Sequence, residues 1–419
     1  MIKKKIIAVI VLFALALALA ACTVLQSGQG NEDEALYTGY YEYEEYEYEY
    51  EYEPEPQVVS IVISAVGDIM MHLTQIISAH DSATDTHDFN HVFDYVRPYF
   101  QNSDLSIGNL ETTFGGRPYA GWPLFSAPDS VAEALKNAGF DVITTANNHV
   151  YDTFQRGLLR TIDVLEEYNL LFTGSRRDDT LPRYAMFEVQ GVNIAVIAYT
   201  YSSSNAAGEL FINGIRTAPS SRPLVNYFRY THLDVDLENV RQTVNDARAS
   251  GADIVVMFYH WGDEYILESN RYQRTIAQRT ADEMYVDIIF GSHPHTLQET
   301  VYLTSALTGR EVPVFYSLGN FVSNQRRETL PTTRNNRHTE TGAIAQVTVE
   351  FDLDNREIIS QTMSAIPTWV ERHRVGGRYV FAIIPLDENL ETNPTLGVSG
   401  NLERARRAWE YADEILRLN

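Results

Sequence analysis

Five short apolar runs in this chain each end abruptly in a polar cluster, and that repetition restricts the folds open to it more than any other feature. Residues 58–66 run into Gly67-Asp68, residues 105–107 into Gly108-Asn109-Leu110-Glu111, and residues 142–145 into Ala146-Asn147-Asn148-His149. Residues 254–258 run into Tyr259-His260-Trp261-Gly262, and residues 287–290 into Gly291-Ser292-His293-Pro294-His295. Runs this short, rich in Val and Ile and bounded by glycine, read as buried strands. In open α/β sheets ligands bind at the carboxyl ends of strands, so one such fold could gather all five clusters. In extended backbone, residues two apart point to the same side, which would bring His293 and His295 to one place, with Pro294 stiffening the link. Taken alone that pair reads equally well as a solvated loop; the matching clusters upstream are what set it apart.

Between these runs the chain alternates with helical patterns. Residues 90–100 look helical, and Pro128 and Asp129 open a helix through Ala138 that Gly139 stops. Phe154, Leu158, Leu159, Ile162 and Leu165 fall on one helical face. Residues 184–189 and 192–199 pair as a hairpin across Gln190-Gly191, and residues 202–229, which hold no period, read as a long loop over the site. Helices are expected over 233–249, 270–285 and 402–418, and further strands over 312–321, 343–351 and 379–384. The tail beyond residue 361 carries no motif and reads as an extension of the same domain. The pattern is that of an α/β fold.

The first residues belong to no fold. Lys3, Lys4 and Lys5, the apolar run 6–19 and Leu19-Ala20-Ala21-Cys22 have the form of a secretory leader, expected over residues 1–21, with a lipobox. Cys22, the chain's single cysteine, would then carry the lipid, and the protein would sit outside the cytoplasmic membrane, anchored to it; the competing reading is an uncleaved membrane anchor. Residues 22–57 include a near-alternation of Tyr and Glu from 41 to 56, whose like charges repel and extend the chain into a tether. One cysteine excludes an intrachain disulfide, and a formal net charge of −24 argues against nucleic acid as a partner.

The clusters supply what divalent ions need: carboxylates, an amide oxygen and several imidazoles. Asp68, Glu111, Asn148, His260, His293 and His295 form the expected ligand set. That inventory suits metal-assisted hydrolysis, in which ions activate water and hold an oxyanion. His149 would remain free to protonate a leaving group, with Asp152 near enough in sequence to orient it.

Taken together, Gly67-Asp68-Ile69-Met70, Asn109-Leu110-Glu111, Ala146-Asn147-Asn148-His149 with Asp152, His260-Trp261-Gly262-Asp263-Glu264-Tyr265, Gly291-Ser292-His293-Pro294-His295 and Ser317-Leu318-Gly319-Asn320-Phe321 resemble the CapA family. These are poly-γ-glutamate capsule biosynthesis proteins, related to calcineurin-like metallophosphoesterases. The resemblance covers residues 61–322 and rests on six motifs in order. It implies a four-layer α/β/β/α metallophosphoesterase-like sandwich over residues 58–325, followed by a β-rich C-terminal extension over 326–419. It also implies a centre for two divalent ions (Mn, Fe, Zn or Mg), Asp68, Glu111 and His295 serving one and Glu111, Asn148, His260 and His293 the other, with His149 as the catalytic histidine. The chain departs from the phosphoesterase pattern at its first motif, where Asp-x-His is replaced by Asp68-x-Met70, the nearest histidine being His72, and the bridging aspartate is replaced by Glu111 or Asn109.

Three functions are therefore expected to compete: a metal-dependent hydrolase of capsule biosynthesis or export, a non-catalytic component of the capsule assembly that holds an anionic polymer such as poly-γ-glutamate beside other synthesis and export proteins, and a metallophosphoesterase unrelated to capsule. A polyanion needs positive charge, and Arg326, Arg327, Arg334 and Arg337 could supply it, with Asn109 a further candidate for substrate contact.

Overall fold

The computed structural model describes residues 57–416; the expected leader, the Cys22 lipidation site and nearly all of the tether lie outside the described residues. The strand Val58–Ile69 is buried almost continuously from Ile63 onward, which explains why its sequence shows an apolar run instead of a clean alternation. It stands at the middle of the first sheet. On one side lie, in parallel, Leu105–Leu110, Val142–Thr144 and Leu171–Thr173; on the other, antiparallel, Thr341–Asp352, Glu357–Val375 and Arg378–Pro385. The short strand Asn320–Val322 also pairs with it, in parallel.

The second sheet is built on the parallel run Val192–Ser204, Ile254–His260, Ile288–Ser292 and Glu311–Phe315, with Thr300–Thr304 antiparallel at one edge. Inward residues of both sheets share one core: Ile63, Ala65, Ile107 and Val142 pack with Val196, Phe258, Ile288 and Phe290. The opposite faces are covered by helices. Val66, Ile69 and Ile143 meet Val131 and Leu135 of Ser130–Ala138 and Leu165 of Phe154–Glu167. Ile197, Val255 and Ile289 meet Leu237 and Val244 of Leu233–Ala249 and Ile276 of Arg271–Glu283. The result is an α/β/β/α sandwich, because each strand residue points alternately to the shared core and to a helical layer.

Most predicted elements recur within a residue or two, but five readings change. The strand expected over 312–321 is two, Glu311–Phe315 in the second sheet and Asn320–Val322 in the first. Residues 90–100 form two pieces, a 3₁₀ turn Asn90–Phe93 and a short helix Arg97–Gln101 with Pro98 in its first turn, where the missing N–H cannot carry a helical hydrogen bond back across residues 94–96. Phe154 opens its helix at φ +58° and is more than half exposed, so it does not join the buried face. The loop expected over 202–229 is partly sheet: Val192–Ser204 continues, and Leu210–Ile212, Ile215–Arg216 and Tyr227–Arg229 follow. The largest omission is Glu357–Val375, a long strand whose first half is mostly exposed and polar and whose second half contains Pro367. Residues 341–385 thus complete the first sheet.

Three chain segments meet beside Asp68 at unusually close range. The Asp68 N–H donates to Gly319 O at 3.0 Å, and a Cβ on Gly67 would lie 2.0 Å from that same oxygen. Gly67→Ala should therefore lower unfolding free energy by about 1–3 kcal/mol in denaturant titrations, the usual range for overpacking. Gly397→Ala, whose added carbon would meet nothing within 4 Å, should leave stability unchanged or slightly raised.

Candidate metal centre

The carboxyl ends of five strands converge at one edge of the sandwich. Cα register sets Asp68 opposite Asn109 and Ile69 opposite Leu110, and the Glu111 N–H then donates to Ile69 O at 3.0 Å. In the second sheet His260 lies opposite Ser292. All six expected ligands are gathered and buried: Asp68, Glu111, Asn148, His260, His293 and His295. Two donor groups have atoms mutually within 4.8 Å, Glu111 with His293 and His295, and Asp68 with Glu111 and His260. This grouping exchanges His260 and His295 relative to the division implied by resemblance, and Glu111 is shared in both.

Asp68 and Glu111 solve the problem of a buried charge differently. Burial would raise the Asp68 carboxyl, but His295, whose Nδ1 lies 2.9 Å from Asp68 Oδ2, outweighs it and holds the group well below the usual carboxylate range. The same contact raises His295 against its own burial. Glu111 has no such partner. Neither buried oxygen accepts from a donor, and burial, the charge of Asp68 and a hydrogen-bonding contact with the Asp68 carboxyl push its own carboxyl well up. Its nearest cationic candidates are His260 Nε2 at 3.6 Å and His149 Nε2 and His295 Nδ1 at 3.9 Å. Burial holds His260 neutral, down to about 3, and lowers His293 strongly as well, leaving each ring one nitrogen with a lone pair to offer. His293 Nδ1 is also buried without a partner. Unpartnered carboxylate oxygens beside neutral imidazoles are what a divalent cation would satisfy, so these residues fit one.

Neighbouring side chains fix the donors. Asn109 Nδ2 donates to Asp68 Oδ1 at 2.9 Å and to Ser292 Oγ at 3.0 Å, and the Ser292 hydroxyl lies 3.0 Å from His260 Nδ1. His260 Nε2 lies 2.8 Å from Asn148 Oδ1. Tyr201 packs its ring 4.8 Å from that of His293. The two histidines of the pair do not converge through extended backbone as expected: His293 has φ +101° and His295 φ +59°, so a turn in left-handed conformations carries them.

His149 stands at the rim with its Nδ1 2.7 Å from Asp152 Oδ2, and Asp152 also accepts the Phe125 N–H at 2.7 Å. Burial raises the Asp152 carboxyl despite that pairing. Asn213, from the segment expected to cover the site, brings Nδ2 to 3.5 Å of His149 Nδ1. Nothing in the sequence around Asn213 or Tyr201 marks them, and Ser292, though it stands inside the Gly291–His295 motif, is not among the expected functional residues. Met70 is buried, and His72 has its Nδ1 occupied by the Asn324 N–H at 3.2 Å.

Two expected substrate contacts are corrected. Asn109 is fully buried and spends its amide on Asp68, Ser292, Thr144 and Asn147, leaving nothing to offer a substrate. Arg326 is 2% exposed and ion-paired to Glu340 at 2.8 Å, so its charge is already committed. Arg327 remains partly exposed, 3.8 Å from the other Glu340 oxygen.

The chain is 30% identical to the capsule biosynthesis protein CapA of Bacillus anthracis over 275 residues, 63% of this chain and 60% of that protein. It is also 30% identical to the PGA biosynthesis protein CapA of Bacillus subtilis (strain 168) over 273 residues, 62% and 63% of the two chains. The chain thus spans less than two thirds of the length of these relatives. Among solved structures it is similar to a phosphatase from Mycoplasma pneumoniae, at 16% identity and TM-score 0.41 over 74% of this chain and 95% of that one. The calcineurin-like phosphoesterase YfkN of Bacillus subtilis aligns at 12% identity and TM-score 0.38 over 84% and 100%. The family model of the bacterial capsule synthesis protein PGA_cap matches residues 62–325, the stretch that carries every donor of the centre, and this chain belongs to that family.

Proposed function

We propose that the protein is a metal-dependent hydrolase of capsule biosynthesis or export, acting outside the cytoplasmic membrane on an anionic polymer and tethered there through a lipid on Cys22. The observation that carries the reading is Glu111: a buried carboxylate neither of whose oxygens accepts from a donor, common to two donor groups, and 3.9 Å from a histidine held by its own carboxylate. Glu111 would bridge two ions, with Asp68, His260, His293, His295 and Asn148 completing their shells. Imidazole-rich donors favour manganese, iron or zinc over magnesium, which prefers oxygen. When bound, the ions supply Lewis acidity at the scissile group.

The chain's own part is proton transfer and orientation. Asp152 holds His149 by Nδ1 and leaves Nε2 directed toward the centre, where it can give a proton to the departing group. A polyglutamate chain would find Arg327, Arg337 and Arg407 in a cleft of about 560 Å³ that also presents Glu410 and Glu414, with Arg407 already paired to Glu403 at 3.1 Å. A second reading, a single-ion centre that holds polymer without cleaving it, is favoured by Met70, which stands where the phosphoesterase pattern has a histidine.

Elemental analysis of the purified protein should find about two ions per chain, in keeping with a dinuclear centre; one ion would favour the second reading, and none after supplementation would remove both. Glu111→Gln should abolish metal binding yet raise the stability of the metal-free protein at neutral pH by about 1–3 kcal/mol, the cost of one unsatisfied buried group. Because the folded carboxyl is raised, that advantage should vanish below the pH at which a free glutamate is protonated.

His149→Ala should keep its metal and lower kcat about 10²- to 10⁴-fold on phosphoester or γ-glutamyl substrates, the range for losing a general acid. Full activity in that variant would exclude the assigned proton donor. Arg327→Ala with Arg337→Ala should weaken polyglutamate binding and flatten its salt dependence; unchanged affinity would move the polymer elsewhere.

A further inference from the structure

A second set of cationic groups lies away from the metal centre. A cavity of about 420 Å³ opens between the 222–227 segment and the helix Leu233–Ala249, and its lining includes Arg183, Arg222, Tyr227, Gln242 and one acid, Asp246. None of the centre's donors lines it. Arg176 borders the cavity: its N–H donates to Leu224 O at 2.9 Å, and the neighbouring Ser175 bridges to Val225 in the cavity wall.

Arg176 is only 4% exposed, and its Nε and Nη1 are buried without any hydrogen-bond partner. Its one carboxylate contact is a loose one, Nη2 to Asp179 at 3.9 Å, and that acid is itself mostly exposed. Burial and the adjacent Arg183 lower its guanidinium to about 10. Arg222 repeats the pattern: its Nη1 donates to Gly208 O at 3.2 Å while its Nε is buried and unpartnered. Asp246 already accepts Gln242 Nε2 at 2.8 Å. Two guanidiniums with unused buried N–H groups, Arg176 and Arg222, stand beside a third, Arg183, whose Nη1 donates to Asn226 Oδ1 at 2.8 Å, and this concentration of positive charge carries an uncompensated cost unless an anion satisfies it.

We infer that Arg176, Arg183 and Arg222 form an anion-binding site, separate from the metal centre, for a phosphoryl or carboxylate group. Planar guanidiniums pair with either anion through two parallel N–H groups, so the shared chemistry is that of an oxyanion. The site adjoins the segment that reaches His149. Ser221, next to Arg222, hydrogen-bonds Tyr151 at 3.0 Å, and Asn213 on the same stretch approaches His149 Nδ1.

The test is titration calorimetry and thermal unfolding of the full protein with inorganic phosphate and, separately, glutarate. Each is run in the wild type and in a His293→Ala background, which removes anion binding at the metal centre. The melting temperature should rise with anion concentration in both, as for any ligand that binds only the folded state. Arg222→Gln and Arg183→Gln should each weaken the anion at least about ten-fold, the loss expected for one charged hydrogen-bonding group. Arg176→Met should abolish the anion response while holding or raising the melting temperature of the anion-free protein. A stronger response to phosphate assigns a phosphoryl ligand, and a stronger one to glutarate assigns a carboxylate. No stabilisation or heat with either anion, or a response that survives Arg222→Gln and Arg176→Met, would overturn the site.

Discussion

Two carboxylates, Asp68 and Glu111, are buried together at the edge of a sandwich, and the rest of the centre is arranged around that conflict. Parallel pairing of Val58–Ile69 with Leu105–Leu110 dictates it, since the register puts Asp68 beside Asn109 and leaves Glu111 one residue past the paired strand. Asn109 is the neutral spacer: its amide nitrogen donates to Asp68 while its oxygen accepts from Thr144 and Asn147. An acid at position 109 would add a third buried charge. Asp68 is compensated within the protein by His295, but Glu111 is not, and a buried carboxylate without partners is tolerable only if something else satisfies it.

How far this was readable in advance follows from where each signal resides. Strand ends bearing Asp68, Glu111, Asn148, His260 and His293 were legible because burial on both faces makes each preceding run continuously apolar, and the change to polar residues is abrupt. Glu357–Val375 was not, since an edge-proximal strand with Ser360, Gln361, Thr362 and Ser364 on it and Pro367 within it has neither period nor uniform burial. Arg326 misled for a related reason. A run of arginines after a strand looks solvated, yet Glu340, distant in sequence, comes within 2.8 Å and draws one of them inside. Asn213 and Arg176 acquire their importance only from tertiary neighbours, which local sequence does not encode.

The histidine pair comes together by a geometry other than the extended backbone expected of it. Extended backbone would have aligned His293 and His295 on one side; instead the strand ends at Ser292 and both residues take left-handed conformations. Such conformations are costly for residues with a Cβ and persist where the surroundings over-determine them. Here the surroundings include Tyr265, itself at φ +63°, whose N–H donates to Pro294 O at 2.8 Å, and the bond from His295 to Asp68. The turn lets two imidazoles from positions two apart approach from different directions, their rings 5.9 Å apart, which a flat strand could not arrange. Strain in the backbone is thus exchanged for a compact donor set.

Charge counting bears on the departure at Met70. With Asp68 and Glu111 ionised and the imidazoles neutral, the donor set carries two negative charges, which one divalent ion balances. A second ion would leave the centre doubly positive, in a pocket where His260 and His293 already resist protonation. Such a centre is stable only with an anionic group bound to it, so a two-ion state and an anionic substrate favour each other. If the phosphoesterase pattern's histidine is a donor, Met70 in its place would remove a neutral donor and leave that balance untouched. On the proposed function, the methionine would weaken the hold on one ion without changing the preference for anions, so a hydrolase and a polymer-holding protein could share this site and differ in how many ions it retains.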